Sequence, residues 1–397
     1  MPSFPSVKAK VNRAVLIWAR ESAGMTQEQA ARKIGKKFKV ARIAAWESGD
    51  DRPTINQLRE LSRIYKRPMA VFYLPKPPRS FPVPHDFRRL PDIGPPAYSP
   101  ELLAEIRLAQ ERRQTALRLY AELEEAPPHF PLKATLEESI EAVAARAREA
   151  IGISIDEQVG WNDKYLALRK WRQALESLGI LVFQVSRIKP TEMRGFSIAD
   201  EVLPIIAVNR SNHESPRARV FSFMHELTHL MLRSSSVCDF DDESPRAAID
   251  LQTEVFCNRV AAEILVPKAH FLSQSEIVAH PVRPREWPEE TIAELSRRYG
   301  VSRLVIVRSL LTHGRANRAF YERKQTEYLA RNREWIENQK PGFENFGEKR
   351  VRLLGNAFTR LVLETYHNGR LTLSEAVGHL GIKVNYLPTV EQALGTV

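Results

Sequence analysis

The chain has little cysteine, no long apolar run and no secretory leader pattern. Two cysteines, Cys238 and Cys257, occur among its 397 residues, which excludes a disulfide framework and predicts a reducing cytoplasm as its compartment. No apolar run approaches the roughly 20 residues that span a bilayer, so no membrane partner is predicted. The first residues lack a hydrophobic leader core, and we therefore expect no secretory signal.

Charge is distributed unevenly along the chain. The net charge is +11, yet residues 1–90 alone hold 19 Lys and Arg against 7 Asp and Glu. The other 307 residues hold 40 basic and 41 acidic residues and are nearly neutral. The basic character therefore belongs to one N-terminal module, which favours a polyanionic partner for that module alone.

The length of the chain and the positions of its proline-rich and helix-ending segments predict several domains. The expected fold class is α+β, mostly α with a small β-sheet. Residues 75–100 hold nine of the 26 prolines, which is typical of an extended linker. The expected order is a five-helix N-terminal domain at 8–74, a proline-rich linker at 75–98, a helical connector at 99–160, a domain carrying chemistry at 161–315, and a helical C-terminal region of unknown role at 316–397.

Chemistry is most clearly indicated in the run from Phe221 to Leu232, which contains His225, Glu226 and His229. Residues four apart project from one face of an α-helix, so both imidazoles can bind the same metal ion. Glu226 lies about 100° around the helix, beside the ion, where a carboxylate can take a proton from water. The pattern is typical of a zinc hydrolase.

A second segment, from Thr253 to Pro267, is predicted to supply the third ligand. Glu254, Asn258 and Ala261 share one face of a helix. Glu254 can serve as the third protein ligand, which leaves a fourth position for water as catalytic zinc requires. Asn258, one turn later, is placed to orient a ligand through a hydrogen bond.

Three stretches, 194–209, 217–230 and 254–267, together resemble the ImmA/IrrE family of zinc metallopeptidases. The resemblance covers about residues 160–315. It implies a protein substrate, typically a repressor or an antitoxin, and a role in transcription control. It also implies Zn²⁺ as cofactor, with His225, His229 and Glu254 as its ligands and Glu226 as general base.

The residues before the metal motif predict a small sheet. Strands are expected at 180–185, 196–199 and 205–208, with the last two forming a hairpin. A small sheet followed by the metal helix is the minimal zincin plan, in which an edge strand can hold a substrate as an added strand.

The N-terminal residues predict a run of short helices, at about 8–22, 27–34, 38–47, 55–65 and 68–74. Thr26-Gln27-Glu28-x-x-Ala31 and Ile43-x-x-Trp46-Glu47-x-Gly49 resemble a Cro/C1-type (Xre-like) helix-turn-helix domain. The resemblance implies that the second helix of the pair enters the major groove of DNA.

The candidate DNA-binding residues are Gln27, Lys36, Lys37, Lys39, Val40, Arg42 and Ala44. The turn is longer than the family pattern, and the reading helix has few Asn, Gln or Ser. Phosphate binding is therefore expected, and sequence-specific readout is left open.

Several alternatives stay open from the sequence. Asn209, His213 and Arg217 could stabilise an oxyanion, although a cap or surface contact is the preferred interpretation. Cys257 is interpreted as a small buried hydrophobe, and Cys238 as an ordinary cysteine in a polar loop at 234–243 rather than a fourth ligand.

The chain could instead be a regulator whose zinc domain only senses, or a toxin–antitoxin component whose zinc domain docks a partner without proteolysis. Homodimerisation is also left open.

Overall fold

The computed structural model describes residues 7–36, 38–78, 84–86, 98–186, 188–189, 192–210, 215–238, 248–280, 286–337 and 345–396. It divides into two compact units, one of residues 1–83 with 94–110 and the other of residues 84–93 with 111–397. Most described residues are helical and one small sheet is present, which confirms the predicted α+β class. In the described part of the chain no helix combines the length and the apolarity needed to cross a membrane.

The N-terminal unit is built from short helices around one core. Its elements are α1 Arg13–Glu21, α2 Gln27–Ile34, α3 Val40–Ser48, α4 Ile55–Tyr65, a 3₁₀ turn at Met69–Tyr73 and the part of α5 (Pro100–Glu122) up to residue 110. The fifth helix expected at 68–74 is therefore this 3₁₀ turn. The first helix starts later than expected because Asn12 caps it and Lys8 pairs with Thr54 as extended chain.

A partly buried ion pair holds the first three helices of this unit together. Arg20 Nε lies 2.7 Å from Glu47 Oε1, and Gln27 Nε2 donates to Glu47 Oε2 over 2.8 Å. Around this pair lies a hydrophobic core that includes Leu16, Ala30, Ile43, Trp46, Leu58, Tyr65 and Phe72. Glu47 thus joins α1 and α2 to α3, the candidate reading helix.

The second unit contains most of the helices. They are the part of α5 (Pro100–Glu122) from residue 111 on, α6 Ile140–Ile151, α7 Ile155–Gly160, α8 Lys164–Ser177, α9 Pro216–Met231, α10 Ala248–Leu265, α11 Lys268–Leu272, α12 Ser275–Ala279, α13 Glu289–Arg298, α14 Arg303–Thr312, α15 Arg318–Glu337, α16 Phe346–Leu354, α17 Asn356–His367, α18 Leu373–Leu380 and α19 Leu387–Thr396, with a 3₁₀ turn at Val384–Tyr386. Asp163 and Ser302 cap α8 and α14 as their side-chain chemistry predicts.

A five-stranded sheet lies within this second unit, in the order β1-β5-β3-β4-β2. The strands are β1 His85–Asp86, β2 Leu181–Val185, β3 Gly195–Ile198, β4 Ile205–Asn209 and β5 Ser236–Cys238. The predicted hairpin of β3 and β4 is confirmed by their antiparallel pairing, and β2 lies parallel to β4. The sequence reasoning missed β1 and β5, which fall in the regions expected to be linker and loop, because strands of two or three residues show no periodicity.

One hydrophobic core joins the sheet to the helices around it. It includes Val143, Trp171, Val182, Ile206, Phe223, Val260 and Ile306. Val143 lies on α6, so this helix of the expected connector packs in the same core as the metal motif.

Two polar side chains close the end of α10 within that core. Arg148 Nη1 donates to Ile264 O over 2.6 Å, and Gln158 Nε2 donates to Leu265 O over 2.7 Å. The last carbonyls of a helix need such donors, and a cation is favourable at that end. These contacts fix the position of the helix that carries Glu254.

Candidate metal centre

Helix α9 carries the His-Glu-x-x-His motif and is almost wholly buried. Ser215 caps it by accepting from Ala218 N, and Pro216 occupies its first turn, where no backbone donor is needed. Every residue from Ser222 to Met231 is buried. The helix therefore presents His225 and His229 inside the protein rather than on its surface.

Three side chains from α9 and α10 converge at one point. His225 Nε2 lies 3.1 Å from His229 Nε2, and His229 Nε2 lies 3.0 Å from Glu254 Oε1. His225 Nε2 lies 3.4 Å from Glu254 Oε2. Tetrahedral zinc with bonds of about 2.0–2.1 Å requires ligand atoms about 3.3 Å apart, so this spacing fits one small ion. Among the described residues this is the one group of three or more such side chains that could hold a metal.

Electrostatics within the group also suit a cation. Asn258 Oδ1 lies 3.0 Å from His225 Nδ1, and an amide oxygen can only accept, so Nδ1 carries the hydrogen and Nε2 presents its lone pair to the group. Burial alone raises the pKa of Glu254, but the two imidazoles outweigh it and hold that pKa below its usual range. The resulting set is one carboxylate and two nitrogen donors.

Glu226 lies beside this group in a cradle made by two strands. Its Oε2 accepts a hydrogen bond from Ser236 Oγ over 2.7 Å, and Ser236 Oγ lies 2.7 Å from Ser197 Oγ. Its Oε1 is buried and has no hydrogen-bond partner among the residues that the structure describes. Burial raises the pKa of Glu226, against the lowering effect of His229 and His225.

Gly195 completes the cradle because a side chain there has no room. A Cβ at this position would lie 2.6 Å from Glu226 Oε1 and 3.1 Å from its Cγ. The sequence reasoning missed Gly195, Ser197 and Ser236, because each sits in a short strand whose partner is distant in the chain. No local pattern connects them to Glu226.

We expect Gly195→Ala to destabilise the protein by about 1–3 kcal/mol, since overpacking a buried site forces neighbouring side chains away from their positions. The measurement is the free energy of unfolding in denaturant. Gly160→Ala is the matched control, because a Cβ at that position would meet no atom within 4 Å, and we expect a change below about 0.5 kcal/mol. Equal stability of the two variants would show that the Glu226 cradle is loose.

The other candidate residues have different surroundings. Asn209 Nδ2 donates to Ile188 O and Met193 O, so it holds a loop rather than facing the metal group. Cys257 is buried, as expected, and burial raises the pKa of its thiol. Arg217 lies half-buried in the first turn of α9. His213 and the side chain of Cys238 fall outside the described residues.

The candidate DNA-binding residues lie around the start of α3 in the N-terminal unit. Lys36, Lys39 and Arg42 are exposed, whereas Val40 and Ala44 are half-buried. Lys37 falls outside the described residues. The Gln27 side chain reaches Glu47, as given above. The exposed members are thus all cationic, which suits contact with phosphates.

Comparisons with known families match two parts of the chain. Residues 16–72 match the family described as helix-turn-helix, and residues 175–311 match the family described as IrrE N-terminal-like domain. The second match contains α9, α10 and the whole metal group. No curated protein and no solved structure matches the chain significantly.

Proposed function

We propose that this chain, in which a helix-turn-helix domain is joined to an IrrE N-terminal-like domain, is a cytoplasmic zinc endopeptidase that controls transcription by cleaving a repressor or an antitoxin-like protein. One observation carries the proposal. His225, His229 and Glu254 converge inside the protein, and a second buried carboxylate, Glu226, lies beside them. A site that only binds a metal ion needs nothing beyond its ligands, whereas a hydrolytic site also needs a general base.

The roles of the side chains follow from their positions. His225, His229 and Glu254 would hold zinc, and bound zinc supplies a Lewis acid that polarises a carbonyl and acidifies water. Asn258 keeps the His225 imidazole in the tautomer that directs its lone pair at the ion. Glu226 takes a proton from the attacking water at Oε1 and passes it to the leaving amine. Ser236 keeps the other oxygen of that carboxylate in place.

The helix-turn-helix domain would hold the peptidase domain near DNA. Joining a peptidase to a DNA-binding domain raises its concentration near a substrate bound to the same DNA. A repressor is a substrate of this kind, and cleaving it changes transcription directly. An antitoxin that represses its own operon meets the same condition.

The direct test is incubation of the full-length chain and zinc with the protein encoded by the neighbouring reading frame. We expect discrete fragments by mass spectrometry, loss of cleavage with a chelator, and its return when zinc is added back. A stable stoichiometric complex without fragments would instead favour the docking alternative, and cleavage that survives the chelator would exclude zinc chemistry.

DNA binding by the N-terminal domain has its own expected result. Lys39→Gln with Arg42→Gln should weaken binding to any duplex and lower the slope of log affinity against log salt by about 1 for each phosphate that the variant no longer neutralises. Fluorescence anisotropy at several salt concentrations measures both quantities. Arg59→Gln, an exposed change on α4, is the control and should alter neither. An unchanged salt slope in the double variant would remove these two residues from the DNA interface.

A further inference from the structure

The sheet of the second unit has two outer strands, and they lie at unequal distances from Glu226. Strands β3 and β5 form the cradle of Glu226, and the order β1-β5-β3-β4-β2 places β1 beside that cradle and β2 two strands beyond β3. A substrate held as an added strand must pair with an outer edge of the sheet. The edge of β5 is therefore the one that would bring a peptide bond towards Glu226.

The opposite edge, at β2, is closed by contacts with helices. Val182 O accepts from Arg172 Nη2 over 2.6 Å. Gly355, between α16 and α17, lies against the same oxygen, since a Cβ at this position would lie 2.7 Å from Val182 O. A strand added at β2 would have to displace both contacts, and it would still be two strands away from the cradle.

The edge of β5 is covered by β1, a segment of the chain itself. The two strands run parallel, with His85 opposite Ser236 and Asp86 opposite Val237. Ser236 is the residue whose Oγ donates to Glu226 Oε2. Neighbouring strands lie about 4.8 Å apart, so the backbone of β1 lies one strand spacing from the residue that holds Glu226. The position that a substrate strand would need is thus occupied by β1.

The pairing of β1 is of a kind that a longer strand can displace. It extends over two residues, and parallel pairing is slightly less stable per residue than antiparallel pairing. Pro84 precedes β1 and has no N–H with which to extend the ladder. A substrate segment that pairs along all three residues of β5 would therefore form more hydrogen bonds than β1 does. The advantage of β1 is its covalent attachment, which keeps it at a high effective concentration.

We propose that β1 is an autoinhibitory strand, which occupies the substrate edge of the peptidase until a protein substrate replaces it on β5. The inference rests on the proposed function, because an edge can hold a substrate only if the site acts on peptide bonds. Strand β1 lies between the helix-turn-helix match, which ends at residue 72, and the IrrE N-terminal-like match, which begins at residue 175. An event that draws on this connecting segment would uncover the edge and so raise the activity.

The test compares two zinc-binding probes by isothermal titration of the full-length, zinc-loaded chain. Acetohydroxamate needs only the metal, whereas a tripeptide hydroxamate also pairs with the sheet edge as a strand. The variant His85→Pro with Asp86→Pro retains no backbone donor in β1. We expect this variant to bind the tripeptide hydroxamate about tenfold more tightly than the wild type does, and to bind acetohydroxamate within about twofold of the wild type.

Lys76→Pro is the matched control, because it adds a proline at an exposed position of the same proline-rich segment outside β1. It should change neither affinity. Hydrogen exchange measured by mass spectrometry needs neither metal nor activity. At least one backbone amide of Ser236–Cys238 should exchange about tenfold faster in the double variant than in the control. If the double variant fails to fold by circular dichroism, Asp86→Pro alone decides, with about a threefold gain in affinity for the tripeptide hydroxamate expected.

The outcomes separate this inference from the proposed function. Equal binding of the tripeptide hydroxamate by the wild type and the double variant, while both bind acetohydroxamate, would overturn autoinhibition and leave the zinc site intact. An equal gain for both probes would also overturn it, because β1 would then cover the metal and not the edge. Unchanged hydrogen exchange at β5 would show that β1 does not cover this edge.

Two further outcomes concern the proposed function itself. If neither protein binds acetohydroxamate, the zinc site fails and this inference fails with it. If both probes behave as expected but neither protein cleaves the product of the neighbouring reading frame, the covered edge stands and cleavage of that substrate is excluded.

Discussion

Replacing Glu226 with Gln is expected to abolish cleavage of the substrate protein while the fold and zinc binding persist. Glutamine has the shape of glutamate, so its amide oxygen can still accept from Ser236 Oγ in the cradle. An amide, however, cannot take up a proton at the position of Oε1. General acid–base catalysis contributes about 10²–10⁴-fold, and the loss in kcat should lie in or above that range.

The measurement combines cleavage kinetics with metal analysis of the same preparation. Glu137→Gln, which removes an exposed carboxylate outside the metal group, is the matched control and should cleave at the wild-type rate. Wild-type cleavage by Glu226→Gln would mean that another group activates water, and the assignment of Glu226 would be wrong. Normal regulation of transcription by a variant that no longer cleaves would favour the sensing alternative over proteolysis.

Local chemistry in the sequence predicts most helices and their ends. The side chains of Asp163 and Ser302 cap α8 and α14, because a cap residue accepts from backbone N–H groups only two or three positions further on. Thr135 and Glu138 show the limit of this reasoning, because a Thr followed three residues later by a Glu is the pattern of a capping box at a helix start. Glu138 does accept from Thr135 N, but only within a turn, and α6 begins later with Ser139 as its cap.

Contacts between distant parts of the chain could not be predicted. The serine pair of Ser197 and Ser236 depends on β5 pairing with β3, and β5, with three residues, is too short to show an alternating pattern. The packing of the C-terminal helices against α8 could not be predicted for the same reason. The sequence predicts helices in this region, but not that Asn356 N would donate to Glu176 of α8.

The metal group itself was predictable because its spacing is helical. His225 and His229 are one turn apart on α9, and Asn258 is one turn after Glu254 on α10, so each pair follows from local geometry. The packing of α9 against α10, however, depends on tertiary structure and not on local spacing. The sequence suggested it only through the small Ala261 and through the family resemblance.

Replacing Glu254 with Ala is expected to weaken zinc affinity by more than about 100-fold. Loss of an outer hydrogen-bond partner usually costs about 10–100-fold, and loss of a ligand should exceed it. Asn258→Ala should therefore fall in that lower range, since it removes only the acceptor that fixes His225. Glu254→Asp keeps the charge but shortens the side chain, and should lie between the wild type and Glu254→Ala.

Competition with a chromophoric chelator measures these affinities in the full-length chain. Glu263→Gln is the matched control on the same helix, because its carboxylate accepts from Lys268 N and is not in the metal group. The order of affinities should be wild type and Glu263→Gln, then Asn258→Ala, then Glu254→Ala. If Glu254→Ala instead binds zinc as tightly as the control, another side chain completes the site. The open position that hydrolysis requires would then belong to a different arrangement of ligands.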